Sequence, residues 1–203
     1  MQNLNTIIFD LGGVLIDWNP EYVFRQIFTD KREMRYFFDY ICTHDWNIQQ
    51  DAGRPLVEAT EEKVAEFPDY EAQIRAYYGR WREMLGGPIG ETVEILDTLR
   101  QQDKHRLLAL TNWSHETFPT ALELYDFLHW FEGIVVSGQE KLIKPDRRIY
   151  ELLLERYNVE PQRAIFIDDN AKNVAGAQAV GLHAVQFESP GQLHRFLQTQ
   201  GIL

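Results

Sequence analysis

Cysteine is almost missing: Cys42 stands alone in 203 residues, so no disulfide can form within the chain and no cysteine-built zinc site is available. Positive charge is scarce as well. Against 31 Asp and Glu there are 20 Lys and Arg, giving a formal net charge of −11 and a pI near 5.0. That balance argues against non-specific binding to nucleic acid or to an anionic membrane. Long apolar runs are lacking too. No stretch approaches the ~20 apolar residues of a membrane span, and the opening MQNLNTIIFDLGG lacks the cationic start and long apolar segment of a secretory signal. No repeat or low-complexity segment is present. A soluble cytoplasmic protein is expected, and at 44% hydrophobic and 25% charged residues it can bury one domain with a large insertion, or two small domains. So acidic a chain would repel a phosphate-bearing ligand unless a local cation reversed the field.

What is present begins with FDLGGVL at Phe9 to Leu15. The apolar run Thr6, Ile7, Ile8, Phe9 delivers Asp10 into a turn containing Gly12 and Gly13. Taken alone, this is first an aspartate capping a turn. In a parallel α/β protein the same position, at a strand's carboxyl end, is where ligands bind.

Helical signals follow. Asn19, Pro20 and Glu21 start a helix through a capping side chain, a proline that needs no donor and an acid in the first turn. Asp30 with Glu33 starts a second. His44 to Pro55 has no clear period and reads as an exposed connection carrying Trp46. Thr60 with Glu61 and Glu62 predicts a third helix closed by Pro68, and Asp69 a fourth carrying Ile74, Tyr77, Tyr78, Trp81 and Leu85. Gly86, Gly87 and Pro88 read as a hinge.

From Ile89 onward helix and strand alternate. Helices are expected at Ile89 to Leu99, Glu116 to Tyr125, Pro145 to Tyr157, Ala171 to Val180 and Pro190 to Gln200. Between them lie the apolar strands Arg106 to Thr111, Ile134 to Ser137, Ala164 to Asp168 and His183 to Phe187. Strict alternation with short apolar strands predicts an α/β fold with a Rossmann-like parallel sheet, helices on both faces, and an inserted helical cap after the first strand. The expected division is a core of residues 1–16 and 89–203 and a cap of residues 17–88.

A parallel sheet would collect the polar groups at its strand ends: Asp10, Thr111 with Asn112, and Asp168 with Asp169 and Asn170, joined by Lys144 from a loop. Carboxylates are hard oxygen ligands for Mg²⁺, and the cation together with an ammonium offsets a phosphoryl group's charge while one carboxylate attacks.

The order FDLGGVL, LTNWS, IKPDRRIY, FIDDNAKNVAGAQAVG resembles the four motifs of the haloacid dehalogenase superfamily, in its helical-cap class, over nearly the whole chain. In detail it is similar to phosphatases of the α-D-glucose-1-phosphate phosphatase type and to the phosphatase domain of soluble epoxide hydrolases. The resemblance implies a Mg²⁺-dependent phosphatase acting on a small phosphorylated metabolite, sugar phosphates included, through an aspartyl-phosphate. It makes Asp10 the nucleophile and a metal ligand, and Thr111, Asn112 and Lys144 the phosphoryl-binding groups, with Lys144 also paired to Asp10. Asp169 becomes the direct metal ligand, Asp168 its water-bridged partner, and Asn170 and Asn173 supports of the loop.

One position departs from the pattern. Most phosphatases of the family place an acid two residues after the nucleophile, where this chain has Gly12. The Gly12 carbonyl can bind the metal, but glycine shuttles no proton, a loss of ~10²–10⁴-fold in rate. Asp17 or a cap carboxylate such as Asp45 could substitute, a good leaving group could need less help, or the enzyme could be slow. A metal-independent 2-haloacid dehalogenase and a non-catalytic phosphate binder are the alternatives. Adjacent Asp168 and Asp169 near Asp10 would repel unless a cation joined them, which favours metal. Trp81 is expected in the core; Trp18 and Trp113 flank the proposed loops, where buried packing is the first reading and packing over substrate the alternative. Arg54 reads as a surface residue, the six histidines show no ligand spacing, and the sequence carries no signal of oligomeric state.

Overall fold

A computed structural model describes residues 4–203; the first three residues of the expected core segment lie outside it. Its strands are β1 (Thr6–Phe9), β2 (Ile16–Trp18), β3 (Leu85–Pro88), β4 (Arg106–Thr111), β5 (Gly133–Val136), β6 (Ala164–Asp168) and β7 (His183–Gln186). Five of them form one sheet in the order β5-β4-β1-β6-β7, every pair parallel. β1 is therefore central, with Phe9 level with Ala109 of β4 and Ile167 of β6. Asp10 emerges between the ends of those two strands, and its N–H still donates to the Ile167 carbonyl at 2.8 Å.

β1, β4 and β6 are almost wholly buried because both sheet faces are covered, which is why they read as continuous apolar runs. One face sends Ile8, Leu108, Leu110 and Phe166 against Ile149, Tyr150, Leu153 and Ala177. The other sends Ile7, Phe9, Ala109 and Ile167 into a cluster that continues through the helical segment between β2 and β3.

That segment holds α1 (Glu21–Ile27), α2 (Lys31–Tyr36), α3 (His44–Asp51), α4 (Leu56–Glu66) and α5 (Glu71–Gly79). Its interior is aromatic: the Phe24 ring lies 4.9 Å from Phe37 and 5.1 Å from Phe38, and Trp46 meets Tyr77 edge-on at 5.2 Å. After it come α6 (Gly90–Gln102), α7 (Phe118–Leu124), α8 (Ser137–Glu140), α9 (Arg147–Arg156), α10 (Ala171–Ala179) and α11 (Pro190–Thr199).

Three local expectations are corrected. His44 to Asp51 is a helix, started by Thr43, whose hydroxyl accepts from the Trp46 N–H at 3.0 Å. Its buried face carries Asn47 and Gln50 beside Trp46, so apolar periodicity could not reveal it. The following helix begins at Leu56, directly after Pro55, rather than at Thr60, whose hydroxyl instead bonds back to the Leu56 carbonyl at 2.7 Å within the helix. The expected hinge Gly86 to Pro88 is strand β3, paired antiparallel with β2. Gly86 is needed there because a Cβ would collide with the Asp17 carboxylate.

Candidate active site

The chain leaves β1 through a turn that fixes both glycines differently. Leu11 N–H donates to Asp10 Oδ1 at 2.7 Å, holding the carboxylate at the strand end. Gly13 has φ +73°, and a Cβ on it would sit 2.6 Å from Asp169 Oδ2; Gly12 opens onto free space, where a Cβ would meet nothing within 4 Å.

Lys144 is the centre of the charge arrangement. It is 2% exposed, and its Nζ lies 2.9 Å from Asp10 Oδ2, 2.7 Å from Asp168 Oδ2 and 2.8 Å from the Leu110 carbonyl, so all three of its protons are used. Asn112 places it. The Asn112 amide donates to the Lys144 carbonyl at 3.0 Å and accepts from the Lys144 N–H at 2.8 Å, so the Asn112 side chain positions the lysine loop.

Asp168, fully buried, accepts from Asn173 Nδ2 at 3.0 and 3.1 Å and from the Asn170 N–H at 2.8 Å besides Lys144. Asn173 is held in turn by its place in α10, which Asn170 caps through the Lys172 N–H at 2.9 Å. Asp169, next along, is exposed and has no ion-pair partner among the described residues. One carboxylate oxygen from each of Asp10, Asp168 and Asp169 lies within 4.8 Å of the others.

These groups oppose one another electrostatically. Burial drives the Asp10 carboxyl up to about 8; Lys144 pulls it back and Asp168 pushes it higher. Burial opposes the Lys144 ammonium, yet Asp10 and Asp168 outweigh it and hold its pKa above the ordinary lysine value. Burial and the neighbouring Asp168 raise Asp169. With all three carboxyls ionised, three carboxylates against one ammonium leave two negative charges, the complement of one divalent cation. The donor set, all hard oxygen with one carboxylate free, fits Mg²⁺.

A cavity of about 440 Å³ opens above this cluster. Asp10, Gly12, Thr111, Asn112, Lys144 and Asp169 form its floor, so every residue expected at the site lines it except Asp168, which stands behind Lys144. Trp18, Trp81 and Trp113 also line it, and Trp81 meets Trp113 edge-on at 5.4 Å. The buried Trp113 indole N–H has no partner among the described residues.

The helical segment supplies the roof. Asn47, Ile48 and Asp51 from α3 and Tyr78 from α5 face the cavity. Sequence reasoning misses the three from α3 because that helix carries no apolar period. Lys172, at the start of α10, lines the cavity too and has no signal of its own in the sequence. The roof is fastened to the core: Ser137 Oγ donates to the Asp51 carbonyl at 2.5 Å, and the Leu56 N–H donates to Glu116 at 2.8 Å.

The structure separates the candidates for the missing acid. Asp17 accepts from the Tyr22 hydroxyl at 2.5 Å and does not line the cavity. Asp45 lines it but is exposed. Arg54 is engaged by Gln49, Glu58 and Glu62, away from the cavity.

Comparison with known proteins agrees with this geometry. The family described as haloacid dehalogenase-like hydrolase matches residues 4–181. A sesquiterpene phosphatase of Aspergillus oryzae is 28% identical over 175 residues, 86% of this chain and 85% of that protein. A phosphorylated carbohydrates phosphatase of Thermotoga maritima is 27% identical over 192 residues, 90% of this chain and 84% of that protein. A family enzyme from Bacteroides thetaiotaomicron, solved in complex with magnesium and inorganic phosphate, superposes with a TM-score of 0.69 at 21% identity, covering 92% of this chain and 95% of that one.

Proposed function

The chain belongs to the haloacid dehalogenase-like hydrolases, and from that premise we propose that it is a Mg²⁺-dependent phosphatase of a small phosphorylated metabolite, working through an aspartyl-phosphate on Asp10. The observation that carries this reading is the three carboxylates gathered around one buried ammonium, with Asp169 left unpaired among the described residues. A metal-free dehalogenase has no use for that surplus of negative charge. The relatives named as phosphatases support the same reaction class, and what their names have in common is the phosphoryl group.

Asp10, Asp169 and the Gly12 carbonyl would hold the Mg²⁺, with Asp168 behind them; bound there, the ion neutralises phosphoryl charge. The remaining work belongs to the chain. Lys144 orients the Asp10 carboxylate through its 2.9 Å contact and adds a positive charge beside the phosphoryl oxygens. Thr111, buried at the end of β4 and facing the cavity, donates its hydroxyl to a phosphoryl oxygen. Asp10 Oδ attacks phosphorus, the ester oxygen departs with its electron pair, and water then cleaves the acyl phosphate. The helical roof, residues 17–88, acts as a cap that excludes bulk water while the ester is bound, with the β2–β3 ribbon as its connection to the core.

The test is phosphate release from p-nitrophenyl phosphate and a panel of sugar and alkyl phosphates, with Mg²⁺ and with EDTA. Release that needs Mg²⁺ is expected. Chloride release from a 2-haloacid that survives EDTA, with no phosphate release, would overturn the reading.

A further inference from the structure

The unmet need of this site is a proton. An alkoxide leaving group must be protonated as it departs, and the position that would do so beside Asp10 is Gly12, which faces open space. Two carboxyl groups of the roof, those of Asp51 and Asp45, line the same cavity as Gly12. Asp51 ends α3, lines the cavity, and is braced on two sides: Asn47 Nδ2 donates to its Oδ2 at 3.1 Å, and Ser137 Oγ donates to the Asp51 main-chain carbonyl at 2.5 Å.

Resting on the phosphatase reading above, we propose that Asp51 is the general acid and base of the reaction, supplied from the helical cap in place of the acid absent at Gly12. In the first half, the bond from Asp10 Oδ to phosphorus forms and the bond to the ester oxygen breaks; that oxygen keeps the electron pair and takes the Asp51 proton, leaving as an alcohol. In the second half, the Asp51 carboxylate takes a proton from water as the water oxygen bonds to phosphorus. The Asp10–phosphorus bond breaks, its electron pair returns to Asp10, and inorganic phosphate departs with Asp51 protonated again.

The surroundings suit a group that must both give and take a proton. Burial lifts the Asp51 carboxyl to about 7, against the Ser114 N–H that favours its charged form. No cation pairs with it among the described residues. Neighbouring titratable groups are Tyr77 and Tyr78 of α5, with His44, Asp45, Lys172 and Asp169 around the same cavity. Asp45, the alternative on the same helix, is exposed at the rim and makes no hydrogen bond through its carboxylate among the described residues, so nothing holds it over the cavity.

The test is a leaving-group comparison with Mg²⁺ present. Asp51→Asn is expected to lose ~10²-fold or more of kcat on glycerol or sugar phosphates, whose alkoxides need a proton, and only about 3-fold on p-nitrophenyl phosphate, whose phenolate does not. Equal loss on both substrates, or no loss on either, overturns the proposal while leaving the phosphatase reading intact. A series of substituted phenyl phosphates on the native protein provides a test that needs no variant. A shallow dependence of rate on leaving-group acidity is expected, and a steep one would contradict proton donation. Absence of phosphate release from every ester overturns both readings together.

Discussion

Lys144 is the residue on which the site's stability and chemistry both depend. Its ammonium sits between two carboxylates that are themselves out of water, and the pair Asp10 and Asp168 is tolerable only because it is there. Lys144→Met keeps the stem's volume and removes the charge. It is expected to destabilise the fold by ~3–5 kcal/mol at neutral pH, read as a lower urea midpoint. The sign with pH follows from Asp10, whose carboxyl is already raised: as pH falls and Asp10 takes a proton, the need for the ammonium fades, so the deficit should shrink toward acid pH. A deficit that grows on acidification would contradict this account. Mg²⁺ should restore part of it by supplying charge to the same carboxylates.

At this scale the floor of the site is legible in the sequence and its roof is not. Asp10, Thr111, Lys144, Asp168 and Asp169 each end a strand or precede a capped helix, so parallel topology alone brings them together. Asn112 keeps its expected place at the cavity and also clamps the Lys144 backbone, a task the sequence does not show. Asp51 has no local signature, because its position over the cavity depends on how the inserted helices dock, and docking is not written in any short motif.

Among the elements, α3 is the one that sequence periodicity hides and the chemistry most needs. Its cap is Thr43, and its inward face presents Asn47, Gln50 and Asp51 rather than an apolar stripe. Thr43→Ala removes the acceptor for the Trp46 N–H and is expected to cost ~1 kcal/mol of stability, measurable by chemical denaturation with an unchanged m-value. Ester KM should rise with it, since the same helix carries the roof; unchanged stability and KM would show that tertiary packing alone sets α3. The legible elements are those whose burial is one-dimensional: Arg106 to Thr111 and Ala164 to Asp168 match their expected bounds because apolar runs flanked by polar residues mark strands buried on both faces. β2 leaves no such mark, since its three residues pair with β3 outside the main sheet and only Ile16 is fully buried. The glycines of β3 suggest freedom in the sequence, whereas Gly86 is there for want of space.

For the molecule as a whole, the arrangement answers the problem its composition poses. On the proposed reading, a chain of net charge −11 must bind a phosphate ester. It does so by placing β1 at the centre of the sheet, so that three strand ends and one loop lysine converge, and by roofing that point with a helical insert fastened through Ser137 and Glu116. Lys144 below and Lys172 at the rim are the cations facing that cavity, and the carboxylate trio calls for a metal that adds more. No helix among the described residues is long and apolar enough to cross a membrane. The core's topology is readable because strand and helix alternate strictly; the cap's contribution is not, because its helices face the cavity with polar side chains.

The central claim is that Asp10 itself carries the phosphoryl group. Rapid acid quench of the Mg²⁺-loaded protein during turnover of a ³²P-labelled ester, followed by peptide mapping, tests it most directly. Label on the peptide containing Asp10, stable in acid and lost in mild base, absent with EDTA and absent in Asp10→Asn, is the predicted result. Continued turnover by Asp10→Asn, or label residing on any other residue, would contradict it.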